Sequence, residues 1–459
     1  MGQLYDFDLL CIGSGPAGQR AAVQAAKLGK RSAVVEKGRV VGGVCIGTGT
    51  IPSKMFREAV LSFSIRSSSH GSRPTAEQLL SRVAEVVRLE SEVIANQLWR
   101  NDVELLRGTA SFVDPHTVAV KLPDNQVRTV TAANILIACG TRPAPPPDVP
   151  PNGETVITSD DISNLKRLPR AMVVVGAGVI GVEYASMFAE LGVAVTLVEK
   201  RDRLLEFLDG EIVDELMHQM RDRNVIFRMQ EAVAGIEITD GSPRRVVVLL
   251  DSGKRIASDL VLFCAGRLAV TDQLNLPAAG LTADDRGRLK VDASFRTSVP
   301  HIFAAGDVIG YPSLAATSAE QGRLAANNAF GIPVGPMPDH FPIGIYAIPE
   351  VSMVGATESE LTQSKTPYET GVARYREIAR GQILGDDSGL LKLIFDRNDK
   401  RLLGIHAIGT GATELIHIGQ AVLALGGGLE YFLRTVFNYP TLAECYKVAA
   451  LNAANKLSA

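Results

Sequence analysis

The sequence predicts an α/β protein built on two copies of one strand–turn–helix–strand unit, followed by a smaller α+β domain. Three observations carry that expectation. The apolar run Asp8–Ile12 ends in Gly13-Ser14-Gly15-Pro16-Ala17-Gly18, and a helical pattern then runs through Leu28 to a second apolar run, Ser32–Val35, closed by Glu36. The same order returns later: Val173-Val174-Val175, Gly176-Ala177-Gly178-Val179-Ile180-Gly181, a helical run, then Val195–Val198 closed by Glu199. Residues 13, 15, 18 and 36 map onto 176, 178, 181 and 199 by a single offset of 163. Beyond about Gly335 the pattern changes to short apolar runs of a kind suited to an antiparallel sheet.

Each element of the repeated unit has a physical task. Gly13 permits a tight turn, Gly15 lets a pyrophosphate approach the backbone, and Gly18 lets helix and strand pack closely. The helix N-terminus attracts phosphates, and Glu36 can accept hydrogen bonds from ribose hydroxyls. Gly176, Gly178, Gly181 and Glu199 repeat those tasks. Two Rossmann-like dinucleotide-binding domains are therefore expected. At the second, Glu199 favours a free ribose 2′-hydroxyl, whereas Lys200, Arg201 and Arg203 beside it can pair with a 2′-phosphate. An acid beside a basic cluster suits a site that takes both NAD(H) and NADP(H).

At 459 residues the chain is too long for one core. Its net charge of -3 argues against nucleic acid or an anionic membrane as a partner. No apolar run reaches membrane-spanning length, since Met172–Val195 carries Glu183 and Glu190. The N-terminus goes straight into a strand with no signal-like stretch. The five cysteines (Cys11, Cys45, Cys139, Cys264 and Cys445) are scattered without metal-ligand spacing, so no metal and a reducing cytoplasm are expected. All but Cys45 read as core residues, and His406 and His417 as structural histidines in apolar surroundings.

Between the two units, Thr75–Gln97 has helical periodicity, and Val103–Leu106, Thr117–Val120 and Ile135–Ala138 read as strands. The proline cluster Pro143–Pro151 reads as a stiff linker. Leu260–Cys264 is a further strand, leading into a glycine turn at Gly266-Arg267, and Ile302-Phe303-Ala304-Ala305-Gly306-Asp307 follows later. In the last domain the strands are Val351–Val354, Leu391–Phe395 and Leu403–Ile408, with helices over Ala412–Leu425 and Thr441–Leu457. Expected boundaries are 1–147 and 268–335 for a split first domain, 148–267 for the inserted second, and 336–459 for the third.

The stretch Gly42-Gly43-Val44-Cys45-Ile46-Gly47-Thr48-Gly49-Thr50-Ile51-Pro52-Ser53-Lys54 organises the rest. It resembles the active-site segment of the pyridine nucleotide–disulfide oxidoreductases, as do Cys139–Pro143 and Ile302–Asp307 their flavin-domain turns. The resemblance implies an FAD site containing Gly13, Gly15, Gly18, Glu36, Lys37, Gly42, Gly43, Cys45, Thr50, Lys54, Ala110, Ala138, Gly140, Asp307 and Ala315. It implies a nicotinamide nucleotide site containing Gly176, Gly178, Ile180, Gly181, Glu183, Glu199, Lys200, Arg201 and Gly266. It also implies a C-terminal dimerisation domain, and so a homodimer or higher homo-oligomer. Lys54 and Glu183 would pair near the flavin and nicotinamide rings, acting by charge and position.

Two departures set this chain apart. The family's second redox cysteine follows the first after four residues, and Thr50 stands there; a hydroxyl cannot form a disulfide. The family's acid–base histidine precedes a Pro-Thr pair, and Tyr439 stands there, although its partner glutamate is kept as Glu444. A tyrosine is a poor general base at neutral pH. Both departures are similar to the soluble, energy-independent (Si-specific) pyridine nucleotide transhydrogenases, which implies ping-pong hydride exchange between NAD(H) and NADP(H) through one flavin. A diaphorase passing electrons to quinones, and a non-catalytic nicotinamide-sensing flavoprotein, remain open on sequence alone.

Overall fold

The computed structural model describes residues 5–70, 73–146, 149–239, 241 and 244–458. The strand Phe7–Ile12 lies inside a parallel layer, with Ser32–Glu36 and then Glu104–Arg107 on one side and the second half of Val127–Ile137 on the other. Ile302–Ala304, from beyond the second unit, pairs in parallel with that same half-strand. The first domain is thus completed by chain that follows the second, which is the insertion the sequence implied. The first half of Val127–Ile137 turns into an antiparallel meander with Thr117–Lys121 and Thr109–Asp114. Thr109–Asp114 is absent from the sequence reading because only Ala110 and Phe112 of its six residues are buried.

Two glycines hold each repeated unit together. A Cβ on Gly18 would stand 1.9 Å from the Gly13 carbonyl oxygen, and one on Gly181 would stand 1.9 Å from that of Gly176. The helices Pro16–Lys27 and Val179–Glu190 can therefore sit directly on their strands. A second close approach stacks the helix Ala315–Ala329 on Pro16–Lys27, where a Cβ on Gly322 would meet the Ala17 carbonyl oxygen at 2.1 Å. The second unit forms a five-stranded parallel sheet in the order Ile226–Met229, Ala194–Glu199, Ala171–Val175, Leu260–Phe263, Val156–Thr158.

The connection between the two begins in a strand, and residues 144–146 and 149–151 beyond it carry no helix or strand. Thr141–Pro143 pairs antiparallel with Arg267–Ala269, so the outgoing and returning strands form a two-stranded ribbon. Residues 147–148 of the proline cluster lie outside the described residues. The C-terminal domain is a five-stranded antiparallel sheet in the order Ile343–Ile345, Val351–Gly355, Leu402–Ile408, Leu390–Asp396, Tyr368–Arg374. One face carries the helices Ala412–Ala424 and Glu444–Leu457, and the other packs on the second domain. Leu390–Asp396 is accordingly buried almost throughout. The short helix Leu429–Arg434 was not foreseen.

That second face carries a lysine with no access to solvent. Lys392 is 0% exposed, and its ammonium donates to Asp209 Oδ1 at 2.8 Å and to Glu358, with Glu211 Oε2 at 3.1 Å. Asp209 also caps the helix Gly210–Asp222, so the cluster ties the second domain to the third. Burial works against the Asp209 carboxylate, but the charges of His406 and Lys392 and the Lys392 hydrogen bond hold it below its ordinary value of 3.8. Its contribution to stability is therefore present above about pH 4 and is lost as pH falls through the lowered folded value. Lys392→Met leaves Asp209 buried without its cation, and a stability loss of about 3–5 kcal/mol is expected in chemical denaturation at pH 7. The deficit should narrow as the pH is lowered, because the unpaired Asp209 of the variant takes up a proton.

Candidate active site

Both glycine-turn helices begin without a side-chain cap, at Gly15 and Gly178, so their first-turn N–H groups are left for a ligand or water. Each helix start lines a cavity. The first cavity, about 1220 Å³, follows the carboxyl ends of the first parallel layer. The second, about 630 Å³, lies at the corresponding end of the second sheet. Glycines sort into two kinds here. A Cβ at Gly13, Gly18, Gly176 or Gly181 would strike backbone, whereas at Gly15, Gly140, Gly178 and Gly266 it would meet nothing within 4 Å. The second kind all line cavities, leaving bare backbone beside uncapped helix ends. These cradles fit the pyrophosphates of FAD in the first cavity and of a nicotinamide nucleotide in the second.

Glu36 and Glu199 are 6% and 5% exposed and end the corresponding strands. Glu36 Oε2 accepts from Ser14 N at 3.0 Å and Ser14 Oγ at 2.5 Å, and its Oε1 accepts from Gly38 N at 2.6 Å. Glu199 Oε2 accepts from Ala177 N at 2.7 Å, and its Oε1 accepts from Arg201 N at 3.1 Å. The Arg201 guanidinium adds a fork, Nε to Oε1 at 3.0 Å and Nη2 to Oε2 at 3.1 Å. Burial pushes the Glu199 carboxyl up, but these donors together hold it below its ordinary range. Lys200 and Arg201 line the second cavity, whereas Arg203 is exposed and outside its lining.

The two cavities meet at Ser159, Val179, Ile180 and Arg267, which line both. Beside this junction Lys54 Nζ donates to both Glu183 oxygens at 2.9 Å and stands 4.9 Å from the centre of the Tyr346 ring. Glu183, with its side chain 3% exposed, also accepts the Tyr346 N–H at 2.8 Å. Glu183 belongs to the second unit yet lines the first cavity. Cys45 sits in its own short helix, Gly43–Gly47, and Thr50 begins the next, Thr50–His70. Burial pushes the Cys45 thiol up, a hydrogen bond with Thr50 opposes this only in part, and the Asp307 charge adds to it.

Lys37, Gly43, Ala110, Ala138, Asp307 and Ala315 also line the first cavity. Gly18, Gly42 and Gly181 line neither, because they act from behind the wall. Gly42 takes φ +116° at the start of Gly43–Gly47 and donates its N–H to Ser14 Oγ at 2.8 Å. Asp307 Oδ2 accepts from Thr141 Oγ1 at 3.2 Å, and Arg267 Nε donates to that same Thr141 hydroxyl at 2.8 Å.

Several groups escaped the sequence reading. Ser14 lay in plain view inside the glycine turn. Arg267, Asp160 and Tyr346 are brought in only by tertiary folding. Burial raises the Asp160 carboxyl, with Arg267 opposing. One expectation needs correction. His417 is exposed and lines the first cavity, with Nδ1 2.8 Å from Gln420 Oε1. Cys139 and Cys264 pack against the cores of the first and second domains, as expected, while each also lines a cavity, and burial pushes both thiols up to about 12. Tyr439 is 67% exposed, and among the described residues Glu444 Oε2 is buried with no hydrogen-bond partner.

The Lys54–Glu183 pair can be tested directly. Lys54→Met leaves the Glu183 carboxylate with the backbone N–H of Tyr346 as its remaining donor among the described residues. Stopped-flow reduction of the bound flavin by either nicotinamide nucleotide should slow by about 10²-fold with little change in nucleotide affinity.

Comparison with known proteins agrees with this geometry. Residues 7–322 match the family described as pyridine nucleotide-disulphide oxidoreductase, and residues 341–450 match its dimerisation domain. A protein of Mycobacterium bovis (strain BCG / Pasteur 1173P2) named soluble pyridine nucleotide transhydrogenase is 53% identical over 99% of both chains. One of the same name from Enterobacter sp. (strain 638) is 45% identical over the whole of both. Among solved structures, the HOCl-induced flavoprotein disulfide reductase RclA from Escherichia coli is similar at TM-score 0.88 and 27% identity, covering 97% of this chain and 99% of its own. LpdA from Mycobacterium tuberculosis is similar at TM-score 0.89 and 26% identity, covering 96% and 99%.

Proposed function

The chain belongs to the pyridine nucleotide-disulphide oxidoreductase family, and within it we propose that this protein passes hydride between NADP(H) and NAD(H) without a redox disulfide. The observation that carries this reading is the wall beside Lys54. A thiol and a hydroxyl, Cys45 and Thr50, stand where disulfide chemistry needs two sulfurs. The name shared by its curated relatives supports the same reading.

FAD held in the first cavity would supply a ring able to take up hydride from one nicotinamide and give it to another. Everything else is the work of the chain. The uncapped helix starts at Gly15 and Gly178 hold pyrophosphates, and Glu36 and Glu199 take ribose hydroxyls. Asp307 receives flavin hydroxyls, steadied by Thr141 and Arg267. Lys54, held by Glu183, keeps a positive charge where negative charge develops on reduction. Val179 and Ile180, shared by both cavities, form the apolar place where two rings can lie together with little water. No proton needs to move through a side chain, which agrees with Tyr439 replacing a histidine.

The working form is a homodimer formed through residues 341–450, and the place of action is the cytoplasm. Tyr439 and its neighbour Val436, 92% exposed, are then available to a second copy. Among the described residues no helix is long and apolar enough to cross a membrane.

Purified holoprotein mixed anaerobically with NADPH and thio-NAD⁺ should form thio-NADH, with parallel lines in double-reciprocal plots. Dihydrolipoamide and oxidised glutathione should give no turnover. Flavin bleaching by NADPH without thio-NADH formation would sink the proposal and leave a quinone reductase or a sensor.

A further inference from the structure

Tyr184 carries a buried hydroxyl for which the protein supplies no partner. The residue is 3% exposed and follows Glu183 in the helix Val179–Glu190. Ile180, Glu183 and Tyr184, at positions i, i+3 and i+4, share one helix face, and all three line the first cavity although they belong to the second domain. The ring suits its surroundings: its centre lies 6.2 Å from that of Phe56, which meets Phe188 at 5.6 Å. The hydroxyl is another matter, since among the described residues it has no hydrogen-bond partner. A phenylalanine would fill the same place, whereas a tyrosine gives up water for its hydroxyl, and buried tyrosine hydroxyls ordinarily find a partner. Nor is this one sealed in. Among the described residues, the side-chain atoms both unpartnered and closed to solvent are Arg296 Nε, His406 Nδ1 and Glu444 Oε2. The Tyr184 hydroxyl therefore reaches open space, and the open space it lines is the first cavity.

Its neighbours place it at the junction of the two cavities. The ionisable groups that reach the phenol electrostatically are Glu183, Cys264 and Asp160; Asp160 lines the first cavity and Cys264 the second. Glu183 is engaged by Lys54 and the Tyr346 N–H, and Asp160 Oδ1 lies 3.4 Å from the Ser159 hydroxyl. Burial, with the Glu183 charge second, holds the phenol well above its ordinary value of 10, so it stays un-ionised and offers both a donor and an acceptor. Two carboxylates close by disfavour an anionic group here, and a neutral amide matches a neutral phenol in both roles. We propose that the Tyr184 hydroxyl hydrogen-bonds the carboxamide of the nicotinamide that enters the junction, and so fixes which face of that ring lies against the flavin. The proposal rests on the reading that the two rings lie together at Val179 and Ile180. A nicotinamide turned over about its glycosidic bond presents its other face, and a bond to the carboxamide distinguishes the two poses. The carboxamide is common to NAD(H) and NADP(H), so the contact serves both.

The test titrates full-length oxidised holoprotein calorimetrically with NAD⁺, NADP⁺ and ADP-ribose, which keeps the pyrophosphate and both riboses but has no nicotinamide. Tyr184→Phe should weaken NAD⁺ and NADP⁺ alike, by about 5- to 30-fold, and leave ADP-ribose within about twofold. The absorption spectrum and midpoint potential of the bound flavin should match those of the wild type. Without nucleotide, the variant should unfold at a denaturant concentration no lower than wild type, because it gives up no bond within the protein. Equal weakening of ADP-ribose, or unchanged binding of NAD⁺ and NADP⁺, would overturn the inference. A shifted flavin potential with unchanged nucleotide affinity would make the flavin the partner of the hydroxyl and overturn it too, as would a destabilised variant, which would reveal a partner inside the protein. No hydride passes in these mixtures. Their outcome is therefore separate from transhydrogenation, which the thio-NAD⁺ assay of the wild type decides.

Discussion

The carboxylate of Glu183 is held by groups from all three parts of the chain. Lys54 comes from the first domain, the helix Val179–Glu190 that carries Glu183 belongs to the second, and the Tyr346 N–H belongs to the third. A carboxylate this deeply buried is tolerable only while its donors stay in place, so each domain's position is conditional on the others. Neighbouring contacts share the constraint. Ser186, one turn along, accepts the Ile348 N–H at 3.0 Å, and Arg57, one turn beyond Lys54, donates to the Ala347 carbonyl at 2.9 Å and pairs with Glu350 at 3.1 Å. Lys392 and Asp209 repeat the device between the second and third domains. The junction of the two cavities is therefore a fixed place, which hydride exchange by ring alignment requires.

Duplication gives the same backbone two different chemistries. In both units a glycine pair removes Cβ atoms that would collide with backbone, and the helix start is left bare. A resident cofactor and an exchanging substrate ask opposite things of such a cradle. Around Glu36 the donors are backbone and a sequestered hydroxyl, a rigid arrangement suited to a group that stays. Around Glu199 the donors are backbone and the long, partly exposed side chain of Arg201. The larger cavity has the acid covered by a buried hydroxyl, and the smaller has the acid covered by a partly exposed guanidinium.

Much of this was legible in the sequence because it depends on local backbone geometry. Glycines at fixed spacing after an apolar run specify a turn whatever surrounds them, and two agreeing copies removed the ambiguity of one. The helix over Ala76–Trp99 was legible for the same reason, with Thr75 and Gln78 forming its capping box. What stayed hidden depends on contacts distant along the chain. The ribbon of Thr141–Pro143 with Arg267–Ala269 joins segments too short to show a period. Tyr346 arrives over Lys54 only when the third domain docks. His417 lies in a helix whose neighbours are apolar, and no local pattern says that its own face opens on the first cavity. Arg201 was visible as a charge, but its fork on Glu199 was not.

The loss of the second sulfur is matched by the electrostatics around the first. A disulfide reductase needs its reduced pair to hold a thiolate, stabilised by positive charge or hydrogen bonds. Around Cys45 burial is the largest influence and favours the neutral thiol, and the Asp307 charge acts in the same direction. Lys54, the nearby cation, acts the other way, and its ammonium is bonded to both Glu183 oxygens at 2.9 Å. The far end of the former thiol machinery is equally changed: Tyr439 is exposed, and Glu444 keeps a buried oxygen without a partner among the described residues. Here burial favours an un-ionised sulfur, and the Lys54 ammonium is held by Glu183 beside the junction of the two nucleotide cavities.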